Sequence, residues 1–285
     1  MKIQVTLTAE GAKRFIAKAI AQLPEVQSAM TNGRILLKGS TTVSAVSEIL
    51  CGVPLRICGR IDPLGTATAN KKTNGAHSLM LNRGEPQNID SCFAEEAENM
   101  EPGDICIAGA NLVDIDGRAA IMAGSPLGGA PLRVLASLQT EGVRTIIAAG
   151  LEKYAPCCLD DSLSAASRKG IRLAMGMASG LVSIAGQVIN EVDASYILGA
   201  EDVCVIGRGG IAGCEGGTTL SVTVKDEIAE EFFEMVREAN RLGARAVSGE
   251  KESLSSCLAT HCGPTGAGHK SCCYRAERLK NRSGE

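Results

Sequence analysis

DICIAGA, residues 104–110, is the stretch on which the fold turns. It is an apolar run with no polar position inside it, closed by Gly109-Ala110. That pattern marks a strand buried on both faces, as in a parallel sheet. Working outward, the same kind of run recurs upstream as RILLK (34–38) and LRICG (55–59), and downstream as VRTIIAAG (143–150). Helical patterns lie between and before these runs. Ala12, Phe15, Ile16, Ala19, Ile20 and Leu23 share one helix face until Pro24 stops the run, and Val43 to Leu50 forms a helix ended by Gly52. A further helix is expected over about 131–141. Strand, helix, strand alternation predicts an α/β fold: a mainly parallel sheet flanked by helices, with right-handed crossovers.

The second half repeats the theme. Helices are expected near 160–168, 191–198 and 226–242, and strands at DVCVIG (202–207) and LSVTV (220–224), with 202–207 either parallel or in a second sheet. The N-terminus MKIQV alternates as a strand does. Residues 62–77 are polar and carry Pro63, Gly65 and Gly75, which predicts a long loop. From Ala246 the chain turns polar and Cys-rich. One α/β domain over 1–245, divisible near 150–160, and a C-terminal tail over 246–285 are therefore expected.

Composition sets the outer limits. The chain has 285 residues, 45% of them hydrophobic and only 2% aromatic with no Trp, so aliphatic side chains must fill the interior. A net charge of −3 gives no basic field for a nucleic acid. No window reaches the roughly 18 apolar residues of a membrane span, and MKIQVTLTAEGAKRFIAKAI lacks the uninterrupted apolar core of a signal peptide. Twelve Cys exceed ordinary usage, but disulfide frameworks belong to much shorter chains. Cys106 and Cys204 fall inside strand candidates, where a thiol acts as a small hydrophobe. The expected compartment is the reducing cytoplasm, without membrane or nucleic-acid partner; a homo-oligomer is left open.

Four segments carry candidate chemistry. In KGSTTVSAVSEIL a strand runs through Gly39-Ser40-Thr41-Thr42 into a helix, which sets free N–H groups and hydroxyls at the positive end of a helix dipole. This suits a phosphate or another anion, or else Ser40 or Thr41 caps the helix. In IAGANLVDIDGRAAIMAGSPLGGAPLRVL, Asn111, Asp114 and Asp116 follow a buried strand, and Gly124, Gly128 and Gly129 lead into the next helix. Ligands of open parallel sheets bind beyond the carboxyl ends of the strands, so Asn111 and Asp114 are expected at a site and Asp116-Gly117 in a turn.

The third segment, VIGRGGIAGCEGGTTLSVTV, spaces Gly207, Gly209 and Gly213 like a dinucleotide fingerprint. The β-branched TTLSVTV that follows argues against the helix this fingerprint requires. What remains is a loop that presents Arg208 as an anion partner and Glu215 as an acid, base or nucleophile, or a glycine bend with ordinary surface charges. The fourth, SSCLATHCGPTGAGHKSCC, holds Cys257, His261, Cys262, His269, Cys272 and Cys273. It lacks a Cys-x-x-Cys pair, so no dedicated metal is assigned, and no cofactor is indicated. His77, one of three His, falls in the long loop as an ordinary loop residue.

The order of the first two segments resembles the superfamily of ribose-5-phosphate isomerase, glucosamine-6-phosphate deaminase, methylthioribose-1-phosphate isomerase and the CoA transferases. Lys38-Gly39-Ser40-Thr41-Thr42 looks like the isomerase's first strand and phosphate loop, and Gly109-Ala110-Asn111 through Asp114 is similar to its Gly-Ala-Asp segment. Gly128-Gly129 falls where these proteins carry a glycine loop before a helix. The resemblance implies an enzyme of isomerase or transferase type acting on a small phosphorylated or CoA-linked metabolite. Gly39 to Thr42, Asn111, Gly128, Gly129 and Arg208 would bind substrate, with Asp114 or Glu215 as the reacting carboxylate. Asn111 stands where the isomerases carry an Asp and is no base at neutral pH. That departure keeps a non-catalytic sensor of small anions as an alternative, and the C-terminal Cys and His keep a metal- or redox-linked accessory protein as another.

Overall fold

The computed structural model describes residues 1–57, 59–62, 65–68 and 75–253. In chain order the elements begin with β1 (Lys2–Leu7), α1 (Ala9–Gln22), α2 (Pro24–Asn32), β2 (Arg34–Lys38), α3 (Thr41–Cys51), β3 (Gly59–Asp62), β4 (Gly65–Thr68), β5 (Ser78–Asn82), β6 (Glu85–Asn88) and α4 (Phe93–Glu98). They continue with β7 (Ile105–Gly109), β8 (Leu112–Val113), β9 (Ala119–Ala123), α5 (Gly129–Ser137), β10 (Arg144–Ala148), α6 (Leu159–Ala165) and β11 (Gly180–Ile184). The last are β12 (Gln187–Ile189), α7 (Glu191–Ile197), β13 (Ala200–Gly209), β14 (Gly217–Val224) and α8 (Ala229–Ser253).

A six-stranded sheet in the order β12-β10-β7-β2-β5-β6 forms the centre. Its pairings β12–β10, β10–β7 and β7–β2 are parallel, while β2–β5 and β5–β6 are antiparallel. The apolar run of β7 has no polar position because both its faces are covered. Ile105 and Ile107 enter one core with Ile35, Leu37 and Ile146, and Cys106 and Ala108 enter another with Leu36, Met80 and Ile147. The first core is closed by α1, α3 and α8 through Phe15, Val46 and Phe232, the second by α4 and α5 through Phe93 and Leu135.

The fold is thus mixed α/β, and several expectations need correction. The sheet is mixed rather than mainly parallel, because the place beside β2 is taken by the antiparallel β5–β6 hairpin. That hairpin turns at Arg83 and Gly84, both at positive φ (49° and 84°), as a tight two-residue turn requires. None of the described residues of 55–59 joins the central sheet: Gly59 opens β3, which pairs antiparallel with β4, and β4 falls in the expected long loop. Strand 202–207 lies in a second sheet, β1-β14-β13, which is one of the two places expected for it and is antiparallel; Cys204 on this edge strand is exposed rather than buried. Helix α8 continues to Ser253, beyond the expected start of the tail. No helix among the described residues is long and apolar enough to cross a membrane.

The two long helices α1 and α8 meet without side-chain clearance. A methyl on Gly11 would stand 2.0 Å from Asn240 Oδ1, and one on Gly243 would stand 2.6 Å from the Glu10 backbone. Asn240 cannot swing away freely, since it accepts from the Thr8 N–H at 3.0 Å and donates to the Thr6 carbonyl at 2.8 Å. Gly11→Ala is therefore expected to lower the unfolding free energy by about 1–3 kcal/mol, read from the urea midpoint.

Candidate functional site

The carboxyl ends of β2, β7, β10 and β12 lie side by side, and glycines let the backbone pack closely there. Lys38 ends β2, and Gly39-Ser40 turns the chain into α3. Ser40 caps α3 by accepting from the Val43 N–H at 3.2 Å, while Thr41 begins the helix with no acidic residue in its first turn. A methyl on Gly109, at the end of β7, would sit 2.5 Å from Ser40 Oγ and 3.8 Å from the Ala148 carbonyl on β10. The turn carrying Ser40 and Thr41, the end of β7 and the end of β10 therefore form one continuous edge, with the positive end of α3 on it.

A basic pair stands beside this edge. Lys38, two residues after Leu36 on β2, is only 7% exposed. Its Nζ hydrogen-bonds His77 Nε2. His77 Nδ1 lies 2.7 Å from the Arg56 carbonyl, so Nδ1 carries a hydrogen. Asp90 holds the segment by accepting from the His77 N–H at 2.9 Å and the Ser78 N–H at 2.8 Å. Gly39 is required here, because a methyl on it would stand 2.2 Å from the His77 carbonyl and 2.6 Å from Nδ1. Cys106 lies on the same face of the sheet. Burial pushes its thiol up to about 12, a bond with Thr145 and the charge of Lys38 opposing, so it is not a thiolate at neutral pH.

Two acidic side chains converge further along, past β10 and β12. Glu152 and Glu191 both reach toward Gly150: a methyl there would sit 2.1 Å from Glu152 Oε2 and 3.3 Å from Glu191 Oε1. Glu191 accepts from the Leu151 N–H at 2.7 Å, whereas both buried carboxylate oxygens of Glu152 lack a hydrogen-bond partner. Burial is the main cause raising the Glu191 carboxyl to about 7. The Leu151 and Glu191 N–H groups pull it down, the neighbouring Glu152 adds to the rise, and the Arg208 charge opposes it. Arg208 reaches from β13 and donates to the Leu151 carbonyl. The loop after β13 also closes on this corner, since a methyl on Gly216 would stand 3.3 Å from Glu152 Cβ.

Of the residues expected at a site, Gly39, Ser40, Thr41 and Arg208 lie on or beside this edge, and Thr42 is buried in the first turn of α3. Asp114 does not present a free carboxylate. It is fully buried, and its Oδ1 accepts from the Asp116 and Arg118 N–H groups at 3.0 and 2.8 Å. Its Oδ2 accepts from Arg118 Nε at 2.9 Å and the Leu159 N–H at 3.2 Å. Burial would raise its pKa, but the bonds from Arg118 and Leu159 outweigh that and hold it below the usual range. These bonds make Asp114 the anchor of the β8–β9 turn onto α6.

Asn111 is exposed, and its side-chain oxygen accepts from the Met122 N–H at 2.9 Å, which fastens the same small sheet. Glu215 is exposed and its carboxylate accepts from the Gly213 N–H at 2.9 Å, within its own loop. Gly128 and Gly129 take positive φ ahead of α5, with Leu132, Val182 and Ser125 as near neighbours. The loop after Gly207 leads into β14, antiparallel to β13, rather than into a helix, so the dinucleotide arrangement is absent there. The Cys257 to Cys273 segment lies outside the described residues.

Glu152, Glu191 and His77 as a partner of Lys38 were missed in the sequence. A signal existed for the first two: Glu152 follows the glycine that ends a buried strand, and Glu191 follows the capping Asn190 in NEVD. The fold and edge define the class as a mixed α/β protein with basic and acidic groups gathered at its strand ends. Comparison with protein-family models, with curated proteins and with solved structures finds no match.

Proposed function

We propose that the chain is an enzyme of isomerase or transferase type acting on a small phosphorylated or CoA-linked metabolite at the strand-end edge. The anionic group lies against the first-turn N–H groups of α3 and the hydroxyls of Ser40 and Thr41, as phosphates do at helix N-termini. Glu191, with Glu152 beside it, takes the proton-carrying role first looked for in Asp114 or Glu215. A carboxyl that titrates near neutrality gives and takes protons at physiological pH, whereas one as heavily hydrogen-bonded as Asp114 does neither. Arg208 tempers the acidic corner and stands ready to meet a second anionic group. The observation that carries this reading is the shared edge. The helix N-terminus at Ser40 and a buried carboxylate pair at Gly150 sit at the ends of parallel strands, where ligands of such sheets bind.

The test is incubation with aldose and ketose phosphates in D2O, and with acyl-CoA esters plus free acids as acceptors. Exchange of carbon-bound hydrogen, or acyl transfer, is expected with one class, and Glu191→Gln should slow it by about 10²–10⁴-fold. Phosphate binding without turnover of any compound would leave a ligand sensor and remove the enzyme reading.

A further inference from the structure

We propose that two copies of this chain pair about a two-fold axis through the face that α4, α5 and the loop before β11 make together. The acidic α4 of each copy meets the basic loop of the other. The inference is independent of the activity proposed above.

The sequence separates the charges first. Residues 84–117 contain no Lys or Arg, whereas residues 118–140 and 162–190 contain no Asp or Glu. The fold then lays these stretches side by side. Phe93 of α4, Leu132 of α5, Ala123 of β9 and Ile184 of β11 all pack into the second core, on one side of the central sheet. Helix α4 packs on α5, and α5 packs on β9 and β11, so α5 lies between an acidic margin and a basic one. Glu95 and Glu98 on the first margin, and Lys169 and Arg172 on the second, are exposed and form no ion pair among the described residues. Arg118 takes no part, being held by Asp114 and Asp160.

Apolar side chains stand out from the same face. Leu127, Leu173 and Met175 are 81%, 57% and 64% exposed. Leu127 is also held at φ 53°, a left-handed conformation that is unfavourable for leucine. Arg168 Nε donates to the Gly124 carbonyl at 2.7 Å, which ties the loop of Leu173 and Met175 to the turn that carries Leu127. Exposed apolar groups gathered in this way mark an interaction surface.

The charge pattern selects the occupant. A patch with acid at one margin and base at the other becomes its own complement when turned half a revolution about its middle. Two-fold pairs meet through the same patch on each copy, so a second copy fits both margins at once. Exposed ion pairs alone contribute little. Burial of the leucines and the methionine therefore supplies the affinity, and the charges fix the orientation.

Sedimentation velocity of the full chain from about 1 to 100 μM reads the association state. A dimer is expected, and it should loosen as salt screens the margins. Glu95→Lys with Glu98→Lys, or Lys169→Glu with Arg172→Glu, should each raise the dimer Kd about tenfold or more, since like charges then face each other. All four changes together exchange the signs of both margins and should restore pairing. Leu173→Asp should abolish it. These positions are exposed, so melting temperatures should stay near that of wild type, which separates lost pairing from lost folding. A monomer across the whole range would overturn the proposal, as would a dimer that survives either double change. A fourfold variant that stays monomeric would overturn it too, because the margins would then not be facing each other. So would a monomer that Lys169 and Arg172 carry onto phosphatidylglycerol vesicles, since the face would then take a lipid surface instead.

Discussion

Raising the pH from 4.5 to above 7 is expected to destabilise the wild-type protein relative to Glu191→Gln by roughly 3 kcal/mol. The unfolded chain releases the Glu191 proton near 4.5, whereas the folded protein, which buries the carboxyl, holds it until about 7. Between these values the folded state binds more protons. Stability from this group is complete below 4.5, falls as pH rises through the interval, and is lost above 7. Gln keeps the size and can still accept from the Leu151 N–H, so the variant should match wild type at the acidic end. It should exceed wild type at the alkaline end, because an ionised Glu191 next to Glu152 costs free energy that an amide does not. Urea unfolding of both proteins across the interval measures the difference directly. Parallel curves would mean that Glu191 ionises normally, and its role as the proton carrier would fall.

Gly39→Ala is expected to cost about 3 kcal/mol, the upper end of ordinary overpacking. The added methyl would meet the His77 carbonyl, His77 Nδ1 and the Arg56 carbonyl at 2.2, 2.6 and 2.9 Å, two of them backbone atoms that cannot rotate aside. The turn must move off the His77 segment, which breaks the Gly39 N–H bond to the His77 carbonyl and tilts the first turn of α3. Stability and anion binding should therefore fall together in calorimetric melting and phosphate titration. Gly52→Ala, which meets no neighbour within 4 Å but strains the left-handed C-cap at φ 74°, serves as a comparison in which stability falls and binding survives.

Three of the four parallel strands were legible because burial on both faces leaves a plain mark: β2, β7 and β10 are short, largely aliphatic runs ending at glycine or a turn residue, whereas the three-residue β12 was missed. β5 was not. Its run SLMLN sits in a polar neighbourhood, and its membership of the sheet depends on a hairpin at Arg83-Gly84 that lacks an Asn-Gly or Asp-Gly signal. The antiparallel course of β13 follows from where β14 lies, which the VIGRGG segment does not record.

The capped turn at Ser40 into α3 was legible for a similar reason, since a capped helix following a buried strand is a local pattern. Asp114 shows the opposite case. Asp-x-Asp-Gly after a strand suggested chemistry, yet the first Asp is the buried staple of its own turn. Glu152 and Glu191 are brought together only by the neighbouring ends of β10 and β12, and the Lys38–His77 pair only by the register that sets Lys38 opposite Ser78. Such pairs are properties of sheet order, and no spacing in the chain encodes them.

The central claim is that the strand ends around Ser40 and Gly109 hold a small anion. Titration of the ¹⁵N-labelled chain with inorganic phosphate tests it most directly. Saturable shifts of backbone amides are expected, concentrated at Gly39 to Val43 and Gly109 to Ala110 and weakened in Gly39→Ala. Shifts centred on the start of α5 near Gly129, or scattered over exposed lysines and arginines without saturation, would contradict it.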